Sequence, residues 1–493
     1  MNALLIYPEW PDTYWSFKYA LPFEGKRSAY PPLGLLTIAP MLPPHWKKRL
    51  VDTNIRPLTE ADLKWADVAL LSGMLVHKED LLRLLGRCRA RGLKTVIGGP
   101  VTSSVEELPQ HADHVVIGEA EELVPQLAVD LEQGRAKPVY KALQLPGLDK
   151  TPLPDLSLIQ SKYYSAMAIQ YSRGCPFNCE FCDIIEIYGR RPRTKSPAQV
   201  VAELEQLYDR KWRSSVFIVD DNFIGNKKKV KELLPVVAEW NQRRGRPFTF
   251  FTEASVNLAD DTQLLQQMKE AGFTRVFLGI ETPVEASLRE AQKLQNTNRS
   301  LLESVRRIQQ YGMEVMAGFI VGFDNDPEDI FDRQVEFIRE SAIPVAMVGL
   351  LLALPGTQLY RRLLKEGRIV NDGNGNNMDC TLNFIPKMDP QRLVEGYKSI
   401  LQRIYHPDEY YERVRRFLAH YRPTHHRRRS LSDYLALGRS IVQQGLLGEA
   451  RGSYWKFFLE AATRYRYAFD IAITLAIMGH HFQTLTAVYC KSE

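Results

Sequence analysis

Three of the six cysteines, Cys175, Cys179 and Cys182, lie within eight residues of one another in a C-x3-C-x2-C arrangement. Thiolates bind both zinc and iron–sulfur clusters, so the ligand type does not decide between them. A structural zinc site needs four protein ligands, and the nearby sequence has no fourth Cys or His at a useful spacing. Three thiolates on a four-iron cluster leave one iron free to bind a substrate. The ligand count therefore favours a 4Fe-4S cluster.

Polar and glycine-containing segments follow the cysteines at intervals, each at or near the end of a predicted strand. They are Val219-Asp220-Asp221-Asn222-Phe223, the carboxylate Glu253, Gly279-Ile280-Glu281-Thr282 and Gly318-Phe319-Ile320-Val321-Gly322. Each has an ordinary structural interpretation: Asp220 and Asp221 would suit a helix N-cap, and Glu253 a solvent-facing position. Glycine in a strand often marks only a bulge. Their common order after the cysteines indicates a shared site.

These residues need a scaffold, and the hydrophobic pattern predicts two alternating strand–helix series followed by helices. The first series predicts a parallel, doubly wound sheet, with strands at 3–7, 49–53, 67–72, 94–98 and 114–118. The second predicts a partial or full barrel, with strands at 167–171, 215–219, 249–253, 275–280, 315–321 and 345–351. In both architectures ligands bind at the carboxyl ends of the strands.

The predicted fold class is thus α/β, in four parts. Residues 1–135 form the doubly wound domain, 136–165 a proline-containing linker, 166–385 the barrel and 386–493 a helical domain. The last helical stretch, 468–488, contains an apolar run interrupted by Asp470, His480 and His481, which predicts a buried helix rather than a membrane span.

Composition agrees with a globular protein: 45% of the 493 residues are hydrophobic, 25% are charged, and the net charge is only +6. The N-terminal apolar run is too short for a signal peptide, which predicts a cytoplasmic protein. An arginine-rich stretch, 413–429, would suit nucleic acid or anionic lipid. It lacks interleaved aromatic residues, so a solvated helix and linker is the favoured interpretation, and no nucleic-acid partner is predicted.

The C-x3-C-x2-C segment, with Phe181 directly before the third cysteine, resembles the signature of the radical S-adenosylmethionine (SAM) superfamily. This resemblance implies a 4Fe-4S cluster that binds SAM through its open iron and cleaves it to a 5'-deoxyadenosyl radical. It also implies a set of SAM-binding positions, with the two glycine-containing strands near the adenosyl moiety. They are Phe181, Asp220, Asp221, Glu253, Gly279, Glu281, Gly318 and Ile320.

A doubly wound domain before such a barrel, with Pro31-Pro32-Leu33-Gly34 in its first loop, looks like the cobalamin-dependent class of the superfamily. The helical tail, with Asn383-Phe384-Ile385-Pro386, is similar to the subgroup that contains hopanoid C-methylases. This implies methylcobalamin between the two domains and methyl transfer to an unreactive carbon. The predicted cobalamin-binding residues are Pro32, Leu33, Ser72, Gly73, Met74, Gly98, Gly99, Pro100, Gly118 and Glu119.

One departure from many cobalamin proteins is the missing Asp-x-His-x-x-Gly signature, which would supply a lower axial histidine. The equivalent region reads Asp52-Thr53-Asn54-Ile55-Arg56. His77 follows the third predicted strand, but a solvent-facing histidine at a helix start is its favoured interpretation. Radical SAM relatives often lack this histidine, so the cobalamin prediction stands.

Two other functions stay open at this stage: a cobalamin-dependent radical SAM cyclase or oxidase without methyl transfer, and a metal-stabilised RNA-binding protein. For the methyltransferase, the apolar and aromatic tail predicts a small hydrophobic substrate, a hopanoid-like lipid first and a tetrapyrrole second, with a peripheral membrane contact. An external electron donor such as flavodoxin or ferredoxin is implied by the family.

Overall fold

The computed structural model describes residues 1–376, 378–423 and 431–490. It begins with a six-stranded, all-parallel sheet in the order β2-β1-β3-β4-β5-β6. Apolar residues fill these short strands because helices cover both faces. The strands are β1 (Asn2–Tyr7), β2 (Lys47–Asp52), β3 (Val68–Ser72), β4 (Lys94–Gly98), β5 (His114–Ile117) and β6 (Val139–Lys141). The helices are α1 (Leu21–Glu24), α2 (Leu33–Ile38), α3 (Glu60–Trp65), α4 (Lys78–Arg89), α5 (Leu108–His111) and α6 (Ala120–Glu132).

A second six-stranded parallel sheet forms the partial barrel, in the order β14-β13-β12-β11-β10-β7. Its two end strands, β7 and β14, are not paired with each other, so the barrel is open. A short antiparallel hairpin lies beside it. The strands are β7 (Met167–Ile169), the hairpin strands β8 (Ser172–Arg173) and β9 (Arg193–Thr194), β10 (Ser215–Ile218), β11 (Thr249–Ala254), β12 (Phe273–Glu281), β13 (Glu314–Val321) and β14 (Val345–Leu350).

The helices of the barrel follow its strands and carry clear start signals. For example, Ser196 caps α8 by accepting a hydrogen bond from Gln199 N, with Pro197 at the first helical position. The helices are α7 (Ile184–Tyr188), α8 (Pro197–Asp209), α9 (Lys227–Arg243), α10 (Thr262–Ala271), α11 (Glu285–Glu290), α12 (Leu301–Gln310), α13 (Ile330–Glu340) and α14 (Gln358–Lys365).

The C-terminal part is helical, as predicted. Its helices are α15 (Pro390–Tyr405), α16 (Pro407–His420), α17 (Leu431–Ser440), α18 (Arg451–Thr463) and α19 (Phe469–Tyr489), with a π-helical segment at Ile441–Leu446 after α17. By length and composition the helix at Arg466–Tyr489 is long and apolar enough to cross a membrane, but 61% of that window is buried. It packs against α15, α16, α17 and α18, in agreement with the predicted buried helix.

The segment from Thr13 to Tyr19 joins all three parts. Trp15 lies against Phe217 and Phe277 on the inner face of the barrel, with ring centroids 6.5 and 5.2 Å away. Tyr14 donates a hydrogen bond to the carbonyl of Val348 in β14 at 2.9 Å. On its other side, Tyr14 packs against Phe482 of α19. The N-terminal segment is therefore held between the barrel and the last helix.

Two predicted boundaries need correction. The predicted linker 136–165 contains β6, which pairs with β5 and extends the first sheet. The hydrophobic pattern also predicts a helix at 430–445, and this segment becomes π-helical from Ile441. The predicted arginine-rich stretch falls partly on Arg427, Arg428 and Arg429, which lie outside the described residues. Of its described members, Arg413 is buried and donates hydrogen bonds to the carbonyls of Ile404 and Pro344, so it is a core residue rather than a solvated one.

Candidate cofactor and active site

The cysteine loop follows β7 directly and is closed by the β8–β9 hairpin. Gly174 adopts a φ of +93°, and a Cβ there would lie 2.8 Å from the carbonyl of Gly189 and 3.0 Å from that of Tyr188. Only glycine fits this position, because the loop folds tightly against its own return segment. At the other end, Glu180 N donates to the carbonyl of Ala291 at 2.9 Å. The backbone thus fixes where the three thiols lie.

Two side-chain amides donate to the cysteine sulfurs. Asn222 Nδ2 lies 3.6 Å from Cys175 Sγ, and Gln295 Nε2 lies 3.5 Å from Cys179 Sγ. Hydrogen bonds to cluster sulfurs tune the reduction potential of iron–sulfur centres. Burial raises the pKa of the Cys175 and Cys182 thiols, so their thiolates depend on compensating positive charge.

The three thiols lie on one loop and match the ligand number of a four-iron cluster with one open iron. Within the described ranges, no group of three or more His, Cys, Asp or Glu side chains converges closely enough to hold one metal ion. A structural zinc ion requires that convergence, because each Zn–S bond is about 2.3 Å long. In a four-iron cluster each thiolate binds a different iron atom, so the sulfurs stand further apart. Cys175, Cys179 and Cys182 therefore fit a 4Fe-4S cluster.

Asp220 holds the start of the cysteine loop. Its carboxylate accepts hydrogen bonds from Tyr171 N at 2.8 Å and from Ser172 Oγ at 2.6 Å, and the residue is buried. It does not cap a helix, since α9 is capped by Asn226. Both carboxylate oxygens are engaged within the protein, so Asp220 acts on the site through the loop that it positions. Its predicted contact with SAM stays a prediction.

Glu281 stands in a strained backbone position at the end of β12, with a φ of +64° at an irregularity in the pairing with β13. Its carboxylate pairs with Lys293 at 2.5 Å, and a Cβ on Gly279 would collide with both groups. Burial alone would lower the pKa of the Lys293 ammonium, but Glu281 raises it overall. Strain of this kind persists only where surrounding contacts enforce it. Two side chains provide these contacts. Asn296 donates to the carbonyls of Gly279 and Ile280, and Gln334 donates to the carbonyl of Glu281.

The strand register places most of the predicted SAM-binding residues on one face. Gly279 lies opposite Gly318, and Glu253 opposite Phe277, all on the inner side of the barrel. Ile320, two residues after Gly318, shares an apolar cluster with Phe181. The Lys293 ammonium lies 5.8 Å from the Phe181 ring centroid. The structure therefore brings the cysteine loop and the two glycine-containing strands to the same carboxyl-end rim.

A group of carboxyls faces this rim. Burial and the neighbouring Asp220 and Asp183 raise the pKa of Asp221 to about 7. Burial and the charges of Asp221 and Asp220 raise the pKa of Glu253 to about 8. Carboxyls held partly neutral in this way are ready to receive a cation, because an incoming positive charge favours their ionised form. SAM carries such charge on its sulfonium and ammonium groups.

The predicted cobalamin-binding loops also converge. A Cβ at Gly34 would lie 4.0 Å from Ser72 Oγ, and one at Gly99 would collide with that hydroxyl and lie 3.1 Å from the Gly73 carbonyl. Gly99 has a φ of +85°, and Val101 N donates to the Gly73 carbonyl at 3.0 Å. The site lies at the carboxyl ends of β3 and β4, beside the switch point between β1 and β3. Small residues and the half-exposed Met74 leave backbone accessible to a flat macrocycle, so these loops fit a corrin.

Glu119 connects this domain to the cysteine loop. Its buried carboxylate accepts from Arg173 Nη1 at 2.5 Å and from Arg193 Nη1 at 3.0 Å, while Arg173 also pairs with Glu121 at 2.9 Å. Arg173 is two residues from Cys175. The Glu119 carboxylate therefore binds two arginines at the domain interface. Its predicted contact with cobalamin stays a prediction, and the backbone around Gly118 is the part of this loop that could make it.

His77 is buried, which corrects the solvent-facing interpretation. Its ring lies against Tyr7 and Trp10, with centroids 5.5 and 4.4 Å away, and its Nδ1 accepts from Met74 N at 3.1 Å. Burial lowers the pKa of His77 to about 4, so it is neutral at physiological pH. It shapes the Met74 loop.

Sequence reasoning missed four residues of the site: Asn222, Lys293, Gln295 and Asn296. Asn222 stands in the motif after β10, so its position was visible but its amide was not singled out. The other three lie in a short segment after α11 with no strand-end position and no recognisable spacing. Only the fold brings that segment against the cysteine loop.

Family comparisons agree with this geometry. The radical SAM superfamily profile matches residues 169–338, and a domain of unknown function, DUF4070, matches residues 357–493. The chain is 42% identical over 489 residues to an uncharacterized methyltransferase of Synechocystis, covering 98% of this chain and 91% of the relative. It is 34% identical over 496 residues to the hopanoid C-2 methylase of Rhodopseudomonas palustris, covering 97% and 92%.

Among solved structures, the cobalamin-dependent SAM radical enzyme OxsB, with aqua-cobalamin and SAM bound, shares the fold. Its TM-score is 0.63 at 15% sequence identity, covering 99% of this chain and 80% of OxsB. Two parallel sheets followed by a helical C-terminal part are thus a fold that this chain shares with OxsB. The chain belongs to the radical SAM superfamily, in the branch that also contains hopanoid C-2 methylase. The predicted resemblance and fold class are confirmed.

Proposed function

We propose that the protein is a cobalamin- and SAM-dependent C-methyltransferase that acts on an unactivated carbon of an apolar substrate. The observation that best supports this proposal is the sequence similarity to hopanoid C-2 methylase. It extends over nearly the full length of both chains and includes both the domain that fits a corrin and the cysteine loop. When bound, the 4Fe-4S cluster supplies the electron that cleaves SAM to a deoxyadenosyl radical, and methylcobalamin supplies the methyl group.

The protein's own residues would bind and position the cluster and SAM. Cys175, Cys179 and Cys182 hold the cluster, and the amides of Asn222 and Gln295 donate to two of their sulfurs. The Glu281–Lys293 pair packs over Gly279, where a Cβ would collide with both side chains. Asp221 and Glu253 take up the positive charge of SAM and release protons as it binds.

Support for an apolar substrate comes from the aromatic inner face of the barrel. Phe217 stacks on Phe251 with centroids 4.6 Å apart, and Tyr30 lies 5.1 Å from Phe217. Trp15 and Phe277 complete this layer. Such walls exclude water, which protects a carbon radical from side reactions. We propose a hopanoid-like lipid as the substrate, taken from a membrane by a cytoplasmic enzyme, with flavodoxin or ferredoxin as the electron donor.

The test is anaerobic incubation of reconstituted enzyme with methyl-labelled SAM, cobalamin, a reductant and a lipid extract of the host. We expect deoxyadenosine, about one corrin bound per chain and label in a lipid product. Label in a tetrapyrrole would contradict the lipid as substrate and assign a tetrapyrrole instead. Deoxyadenosine with a cyclised or oxidised product and no label would support the cyclase or oxidase instead. Persistent absence of corrin would contradict the proposal.

A further inference from the structure

A stripe of apolar side chains is exposed along α17 and the π-helical segment that follows it. Its members, with their exposed fractions, are Leu431 (76%), Tyr434 (56%), Leu435 (49%), Val442 (46%), Leu446 (58%) and Leu447 (77%). Six of the twenty large apolar side chains exposed in the described part of the chain thus lie in seventeen residues. Scattered exposed leucines are ordinary, but a contiguous patch marks an interaction surface.

The spacing shows that this is one face of a helix. Residues 431, 435, 438, 442 and 446 follow one another at intervals of three or four, with Gly438 as the small member. The opposite face is buried: Ala436 packs with Phe23, Ile473 and Ile477, and Ser440 is fully covered. The stripe is therefore the outer face of a helix whose inner face is already used, and it extends for roughly 20 Å.

The stripe is held rigidly and close to the barrel. Arg439 donates from Nη1 to the carbonyl of Phe23 at 2.8 Å, which fixes α17 on α1. The chain that leads into α1 carries Trp15, whose indole lies on the inner face of the barrel. The stripe is thus connected through α1 to the segment that lines the aromatic interior.

Basic residues flank the stripe. Arg451 and Lys456, at the start of α18, are exposed and have no salt-bridge partner within the described part of the chain. The segment before α18 is tied to it, since Trp455 Nε1 donates to the carbonyl of Gly445 at 2.9 Å. An apolar helix face with cations beside it matches the charge and polarity of an anionic bilayer surface.

We propose that this stripe is a membrane-docking surface, which rests the protein against an anionic lipid bilayer. The inference rests on the proposed function, because it names the source from which the apolar substrate arrives. Apolar side chains enter the interface, and Arg451 and Lys456 contact the headgroups.

The experiment is flotation of holoenzyme with phosphatidylcholine vesicles that contain about 30% phosphatidylglycerol. The variant Leu435→Gln with Leu446→Gln keeps helix propensity and removes two apolar contacts. We expect vesicle affinity to fall about tenfold or more. The matched control, Leu143→Gln with Leu364→Gln, changes two leucines exposed elsewhere, at 96% and 57%, and is expected to bind like the native chain.

A second variant tests the charges. Arg451→Gln with Lys456→Gln lowers affinity for anionic vesicles by about fivefold per charge and leaves binding to pure phosphatidylcholine unchanged. It also keeps the proposal testable if the leucine variant fails to fold. Equal vesicle binding by native, leucine and charge variants would overturn the proposal. So would sedimentation of the native chain as a dimer that the leucine variant converts to a monomer, without vesicle binding.

The two proposals fail separately. Deoxyadenosine formation and methylation in detergent measure the proposed function without a membrane. If methylation in detergent persists while vesicles do not bind, the docking surface is wrong and the chemistry stands. If vesicles bind but no label leaves SAM, the methyltransferase assignment is wrong and the docking surface stands.

Discussion

Cys179 and Cys380 are two thiols of this chain with different surroundings. Cys179 lies in the cysteine loop within reach of Gln295, whereas Cys380 lies near the C-terminal helices, where its thiol points to the carbonyl of Met378. We expect Cys179→Ala to abolish cluster assembly and SAM cleavage, because two thiolates cannot hold the four-iron centre. Iron and sulfide content and deoxyadenosine yield measure this. Cys380→Ala is the control, and deoxyadenosine formation by Cys179→Ala would contradict the assignment.

Glu253 makes the stability of the ligand-free protein depend on pH. Its pKa is raised from 4.5 to about 8, so between these values the native state keeps a proton that the unfolded state has released. Stability therefore falls as pH rises through this window. We expect Glu253→Gln to have a higher Tm than the native chain at pH 8 and a similar Tm at pH 5. Thermal unfolding at both pH values, with the exposed Glu285→Gln as control, measures this. Parallel pH profiles for Glu253→Gln and the native chain would refute it.

Site residues could be predicted where their spacing in the sequence forms a motif. They could not be predicted where only the fold brings them next to the site. The three cysteines and the glycines of β12 and β13 stand in recognisable order along the chain. Lys293 and Gln295 do not, because they reach the site through a turn after α11. Asp220 shows a third case: its position was recognised, but its hydrogen bonds to Tyr171 and Ser172 appear only in three dimensions.

At the scale of the element, the loop after β4 decides whether a macrocycle fits. Gly99 has a φ of +85° and would collide with Ser72 through a Cβ, whereas Gly92 has a φ of +68° and open space around it. Alanine would strain the backbone at both positions because both have a positive φ. A comparison of the two variants therefore isolates the effect of the steric clash at Gly99. We expect Gly99→Ala to lower the corrin bound per chain several-fold and Gly92→Ala to retain it. Corrin absorbance after reconstitution is the measurement, and equal corrin content in both variants would count against the site.

Most elements were predicted within one or two residues because hydrophobic period and length agree. Strand β4 matches its predicted bounds of 94–98. Strand β6 was missed because three residues after Pro138 carry no periodicity, and only pairing with β5 makes them a strand. The β8–β9 hairpin was missed for the same reason, since each of its strands has two residues.

At the scale of the whole molecule, Phe482 joins the N-terminal segment to the C-terminal helices. It is fully buried, with its ring centroid 5.8 Å from that of Tyr14 and 5.1 Å from that of Tyr405. We expect Phe482→Ala to cost about 3–5 kcal/mol of stability, through lost burial and a cavity. The half-exposed Val488→Ala on the same helix is expected to change it by about 0.5 kcal/mol or less. The urea midpoint measures both, and similar small shifts would show that α19 does not secure the N-terminal segment.

The contact between α19 and the segment around Tyr14 has a consequence for biosynthesis. Tyr489 donates to the carbonyl of Asp12 at 2.6 Å, and His481 lies against the carbonyl of Tyr14, so this segment waits for a helix that lies 477 residues further along the chain. At about 5–20 residues per second the ribosome needs roughly 25–100 s to bridge that interval. Throughout it, Tyr14 lacks its contact with Phe482. We therefore expect a nascent chain stalled before α19 to bind ribosome-associated chaperones through the segment around Tyr14 and to release them once α19 has formed.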